Sequence, residues 1–162
     1  PQAFLGEWPA LLIKAPFGLS TPDVFRRFDQ SKVPSRPDHD RFLKALPQAE
    51  WPGLAAGAGN VLESVAFGIH PQLAGIKEQL LSSGAMMAQM SGSGPTLFGI
   101  FSDRESRERA HRSLSGLTAS GYTLYLADTV STGTQFVSSY QVPELSEFLD
   151  LNFETDGLSA ES

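Results

Sequence analysis

The segment Ala85-Met86-Met87-Ala88-Gln89-Met90-Ser91-Gly92-Ser93-Gly94-Pro95-Thr96-Leu97-Phe98-Gly99-Ile100-Phe101 decides how the rest of the chain is read. Two apolar runs, Ala85 to Met90 and Leu97 to Phe101, flank a turn of small and hydroxylated residues, so the segment reads as two strands joined by a Gly/Ser turn. Gly92 and Gly94 tolerate positive φ and lack a Cβ, which lets backbone N–H groups converge on an anion, and Ser91, Ser93 and Thr96 add hydroxyl donors. The local pattern leaves two readings open: a turn that contacts phosphate, and a turn that only joins strands.

Upstream of this segment, Leu73, Ile76 and Leu80 fall on one helical face, and Ser83-Gly84 supplies the stop. His70-Pro71 separates that helix from an Ala-, Leu- and Val-rich run, Leu54 to Ile69, which reads as a single helix despite Gly53, Gly57 and Gly59 near its start. Still earlier, Ala10 to Ala15 is a short apolar strand entering a loop. Ser20-Thr21-Pro22-Asp23 then opens a helix: a hydroxyl caps free N–H groups, proline suits the first turn, and Asp23 complements the positive end of the dipole. Val24, Phe25 and Phe28 give that helix its apolar side. Residues 31–38, with Pro34 and Pro37, read as a surface connection to a helix over His39 to Leu46.

Downstream, Ser102 or Asp103 caps a charged helix whose inner face carries Ala110 and Leu114. Its Arg104, Arg107, Arg109 and Arg112 alternate with Glu105 and Glu108, the pattern of a solvated face rather than an anion patch. Gly116 and Gly121 close the helix, and Tyr122 to Ala127 alternates as the last strand. Strand, helices, strand, strand, helix, strand is the order of an α+β fold: a mainly antiparallel four-stranded sheet covered by helices on one face.

A chain of 162 residues with 41% apolar side chains and 11 Phe has enough material for one core. It has no cysteine, hence no disulfide framework and no thiolate metal site. No apolar run approaches the roughly 20 residues of a membrane helix, so a soluble, cytoplasmic protein is expected, or a plastid one if a targeting sequence precedes it. The net charge of −6 is carried by Glu144, Glu147, Asp150, Glu154, Asp156 and Glu161, because the body up to residue 130 is balanced. Without a basic stripe, nucleic acid is not an expected partner. The expected division is therefore a domain over residues 1–130 and an acidic extension over 131–162. The extension is either partly helical, through Leu145, Phe148, Leu149 and Phe153, or disordered.

His39, His70 and His111 are too scattered for a metal site. Ser91-Gly92-Ser93-Gly94 does not fit the Gly-x-Ser-x-Gly frame of a hydrolase nucleophile. Met86, Met87 and Met90 read as core filler.

Several motifs occur together in one order: Leu12-Ile13-Lys14-Ala15-Pro16-Phe17-Gly18-Leu19-Ser20-Thr21, then Asn60-Val61-Leu62-Glu63, His70-Pro71, Ile76-Lys77, Gly84-Ala85 and Met90 to Thr96. This order resembles the C-terminal half of GHMP-type small-molecule kinases, over about residues 8 to 128. The resemblance implies a ferredoxin-like C-terminal domain of an ATP- and Mg²⁺-dependent phosphotransferase. Its implied acceptor is the 2-hydroxyl of a cytidine-diphosphate-linked methylerythritol, on the non-mevalonate route to isoprenoids. A homoserine or mevalonate-pathway kinase, or a non-catalytic binding domain of the same fold, is the alternative.

The resemblance further implies that Ser91, Gly92, Ser93 and Gly94 help shape the nucleotide phosphate site and that Gly18, Ser20, Thr21 and Pro22 lie on the substrate side. Asn60 and Glu63 would occupy a helical motif with a structural role. The family's main phosphate loop, catalytic Asp and accompanying Lys belong to an N-terminal domain whose motifs do not occur in this chain. No catalytic residue is therefore expected here, and a missing N-terminal kinase domain is the implied partner alongside the small-molecule substrate.

Overall fold

The computed structural model describes residues 7–30 and 36–130. The expectation for an acidic extension beyond residue 130 lies outside the described residues, as do residues 31–35 of the expected surface connection.

Apolar residues on both faces of Pro9-Ala10-Leu11-Leu12-Ile13-Lys14 suit a strand with neighbours on each side, and this segment is the inner strand β1 (Pro9–Lys14). β1 pairs antiparallel with β3 (Thr96–Ile100), Leu12 facing Phe98, and with β4 (Thr123–Asp128), Leu12 facing Tyr125. β2 (Met87–Met90) pairs antiparallel with the outer side of β3, Met90 facing Leu97. The sheet order is β2-β3-β1-β4, the four-stranded antiparallel α+β arrangement expected from the order of the elements.

Alternation along the strands sends Leu11, Ile13, Ala88, Met90 and Leu97 to one face, where they are buried. The helices that cover this face are α1 (Thr21–Gln30), α4 (Glu63–Ile69), α5 (Gln72–Ser82) and α6 (Arg104–Leu114). They contribute Val24, Ala66, Leu73, Ile76, Leu80, Ala110 and Leu114 to the same core. The 3.6-residue period of α5 is legible in the sequence because all three of its apolar positions meet this core. Fully burying one such side chain contributes roughly 1.5–3 kcal/mol.

Three local expectations are corrected. The run Leu54 to Ile69 is two helices, α3 (Trp51–Gly57) and α4, separated by a non-helical bridge through Asn60. Phe25 is 49% exposed, because Val24 and Phe28 take the inward positions of α1. Arg107 is buried rather than solvated. Its Nη1 donates to the Ala127 carbonyl at 2.8 Å and to Asp128 at 3.1 Å. Arg104 and Arg109 do sit on the exposed side, paired with Asp128 and Glu105.

A second small layer touches the opposite face. α2 (His39–Ala45), a 3₁₀ turn (Leu46–Gln48) and α3 form a compact pair. Its close approach needs small residues, since a Cβ at Gly57 would lie 2.5 Å from the Phe42 nitrogen. Phe42, Trp51 and Leu54 face Met87, Phe98 and Ile100 across an apolar recess of about 200 Å³. Trp8 meets Trp51 edge-on at 4.4 Å. Among the described residues no helix is long and apolar enough to cross a membrane.

Candidate functional site: the glycine turn and its supports

The β2–β3 connection is a tight turn fixed by its own backbone. Ser91 N–H donates to the Thr96 carbonyl at 2.8 Å, and Gly94 N–H donates to the Ser91 carbonyl at 3.0 Å. Gly92 and Gly94 have φ of 55° and 86°, the left-handed region that glycine enters without strain, and the Gly94–Pro95 peptide is cis. Gly94 is needed twice over, because a Cβ there would lie 2.7 Å from Met90 Sδ and 2.9 Å from Leu19 Cδ1. Among the described residues no acceptor faces the backbone N–H of Gly92 or Ser93. Two successive backbone donors of the turn are therefore left without a protein acceptor among the described residues.

The turn is held from behind by the bridge between α3 and α4. Asn60 Nδ2 donates to the carbonyls of Met90 at 2.8 Å and Gly92 at 2.7 Å. Asn60 Oδ1 accepts from Leu62 N–H at 3.0 Å, at the entrance to α4. One turn further on, Glu63 Oε1 accepts from Met90 N–H at 2.7 Å. β2 is an edge strand, so this N–H has no strand partner, and the carboxylate supplies one. Glu63 Oε2 accepts from Lys77 Nζ at 2.5 Å, which neutralises a side chain only 12% exposed.

The loop before α1 lies alongside. Thr21 Oγ1 and Ser93 Oγ are 2.7 Å apart. The Ser20 carbonyl accepts from Val24 N–H at 2.9 Å, and Ser20 Oγ receives Asp23 N–H at 3.4 Å, so Ser20 opens the helix as expected. Pro22 occupies the first turn of α1, and Gly18 stands in open space. Of the four loop positions singled out in the sequence, Thr21 is the one hydrogen-bonded to the turn. Phe17 stacks on His70 at 4.2 Å, tying this loop to the junction between α4 and α5. A cleft of about 730 Å³ opens beside the turn, lined by Phe28, Arg36, His39, Asn60, Ser91 and Gly92 among others.

The sequence did not reveal which groups Asn60 and Glu63 would hold. The structural role expected of both is what they play, but Asn60 lies outside α4 and holds the turn, whereas Glu63, in α4, holds the end of β2. The available signal was an Asn two residues before a buried Leu, a pattern that suits a helix entrance better than a helix interior. Among the described residues no group of three His, Asp or Glu side chains could hold a metal ion. The turn and its supports thus bring together neutral hydrogen-bonding groups and one Glu63–Lys77 ion pair.

The fold and this turn define a domain of the GHMP kinase class. The family described as GHMP kinases C terminal matches residues 36–117, and the chain belongs to it. Over 96 residues the chain is 41% identical to a 4-diphosphocytidyl-2-C-methyl-D-erythritol kinase of Pelotomaculum thermopropionicum, covering 59% of this chain and 33% of that protein. It is 36% identical over 106 residues to the protein of the same name in Brevibacillus brevis, covering 65% of this chain and 36% of the relative. Among solved structures, a 4-(cytidine 5'-diphospho)-2C-methyl-D-erythritol kinase superposes with a TM-score of 0.62 at 24% identity, over 79% of this chain and 44% of that one. The chain spans about a third of the length of the curated relatives it matches.

Proposed function

We propose that this chain is the C-terminal domain of an ATP-dependent kinase that phosphorylates the 2-hydroxyl of 4-diphosphocytidyl-2-C-methyl-D-erythritol. The observation that carries the reading is the pair of unpartnered amides at Gly92 and Ser93 on a turn held rigid from behind. Phosphoryl transfer depends on positioning and on stabilising charge, and fixed backbone donors supply both without reorganisation. Ser91, Gly92, Ser93 and Gly94 are assigned to the phosphate side of the cleft. Gly18, Ser20, Thr21 and Pro22 are assigned to the side of the acceptor alcohol.

The names of relatives 41% and 36% identical support this acceptor over homoserine or mevalonate-pathway substrates. Mg²⁺ is assigned to the nucleotide phosphates. The catalytic base belongs to the absent N-terminal domain, which makes the chain alone inactive.

The test is ATP-dependent phosphorylation of 4-diphosphocytidyl-2-C-methyl-D-erythritol, measured for this chain and for the complete gene product. Activity in the complete product alone is the expected result. Activity in neither, with homoserine and mevalonate also refused, would favour a non-catalytic binding domain.

A further inference from the structure

We propose that Asn60 is a positioning residue that sets the direction of the free Ser93 amide in the turn. This rests on the reading of the turn as the phosphate side of a kinase cleft. A peptide unit holds its C=O and N–H on opposite sides, so fixing a carbonyl fixes where the next N–H points. Asn60 fixes two. Its Nδ2 hydrogens engage the Met90 and Gly92 carbonyls, and the amides that follow them belong to Ser91 and Ser93. Ser91 N–H is spent on Thr96, whereas Ser93 N–H is turned away from Asn60 and left without a protein acceptor. The Gly92 carbonyl, pulled back by Asn60, is also kept from the position where it would repel an arriving anion.

The chemistry of the side chain is specific. Two donors and one acceptor are all used: the acceptor is committed to Leu62 N–H, which places the carboxamide at the entrance of α4. Aspartate has the same shape and no donor, and it would set a carboxylate oxygen against two carbonyl oxygens 2.7 and 2.8 Å away. Serine is too short to reach both carbonyls. Glu63 restrains the same strand from the next turn, through Met90 N–H, without touching Gly92 or Ser93. The two supports therefore divide the work: Glu63 holds the strand end, and Asn60 orients the Ser93 donor.

The experiment compares wild type, Asn60→Asp and Asn60→Ser in the complete gene product. Two readouts are taken: steady-state kinetics with each substrate varied, and hydrogen exchange of the peptide covering residues 87–97. Removing two hydrogen bonds and placing like partial charges together should raise the KM for ATP by about tenfold or more in Asn60→Asp, with Asn60→Ser between it and wild type. The KM for the acceptor alcohol should stay within about twofold, and exchange should quicken across residues 87–97 while β1 and α5 keep their wild-type rates. A merely structural role would raise both KM values alike or lower kcat through loss of folded protein. Either result overturns the proposal, as does unchanged exchange over residues 87–97 in a folded Asn60→Asp protein. Should Asn60→Asp fail to fold, Asn60→Ser decides by the same two readouts. A wild-type protein that turns over no ATP sinks the kinase reading instead, and the exchange pattern alone then decides whether Asn60 orients the turn.

Discussion

The hydroxyls of Thr21 and Ser93 lie 2.7 Å apart although 72 positions separate them in sequence. This contact joins the loop before α1 to the glycine turn, the two segments assigned to opposite partners in the proposed reaction. An exposed hydroxyl pair of this kind contributes about 0.5–1.5 kcal/mol. A double-mutant cycle of Thr21→Val and Ser93→Ala in urea denaturation should return a coupling in the lower part of that range. Strict additivity of the two substitutions would mean that the contact holds nothing together.

Gly94 and Gly92 share a positive φ but not the same surroundings. Alanine at position 92 enters open space and meets only the backbone cost of the left-handed region, about 1 kcal/mol. Alanine at position 94 adds overlap with Met90 and Leu19, for a total of about 2–4 kcal/mol. Chemical denaturation of the two variants should rank Gly94→Ala as clearly the more damaging. The opposite ranking would contradict the packing described around Leu19.

Lys77 and Arg109 both form ion pairs, and burial separates them. Lys77→Met leaves the Glu63 carboxylate without its cation at a side chain 12% exposed, and should destabilise by about 1–3 kcal/mol. Arg109→Met removes a partner of Glu105, which is 83% exposed, and should change stability by less than about 0.5 kcal/mol. Equal effects in thermal or urea unfolding would show that Glu63 is not tied to Lys77 as described.

Asp103 caps α6 by accepting from Ser106 N–H at 2.7 Å. Hydrogen bonds from the Ser102 hydroxyl, then from the Ser106 backbone and hydroxyl, lower its pKa from 3.8 to about 2, and nearby Arg109 adds to the effect. A carboxylate whose folded pKa is depressed stabilises the fold above its unfolded pKa and loses that contribution as pH falls through the folded value. Wild type should therefore lose stability relative to Asp103→Asn as pH falls from about 4 to about 2. Parallel stability curves for the two proteins across this window would exclude Asp103 as the source of acid sensitivity in α6.

The parts of this fold legible in the sequence are those whose cause is local. β1 reads as a strand because six consecutive residues suit one, and α5 reads as a helix because Leu73, Ile76 and Leu80 repeat with the helical period. The glycines of the turn are legible for the same reason, since positive φ is a property of one residue. The break between α3 and α4 is not. Its cause is a side chain that prefers two carbonyls 30 and 32 positions away to a place in a helix. Arg107 is hidden in the same manner: nothing on α6 announces that the end of β4 offers its guanidinium a carbonyl and a carboxylate. In both cases a polar group is satisfied across the tertiary structure, and the pattern along the chain shows at most that Asn60 suits a helix entrance, not which carbonyls it meets.

The place of β1 between β3 and β4 governs how the protein must be made. Of the four described strands, the first in sequence is flanked by the last, and Trp8 N–H meets its acceptor Thr129 Oγ1 across 121 positions of chain. Until Thr123–Asp128 has left the exit tunnel, one edge of β1 therefore keeps its backbone N–H and C=O groups unpaired. Pairings this distant in sequence close slowly. Until that last strand is made the sheet has an open edge at an inner strand, and an unpaired edge invites pairing with a wrong strand.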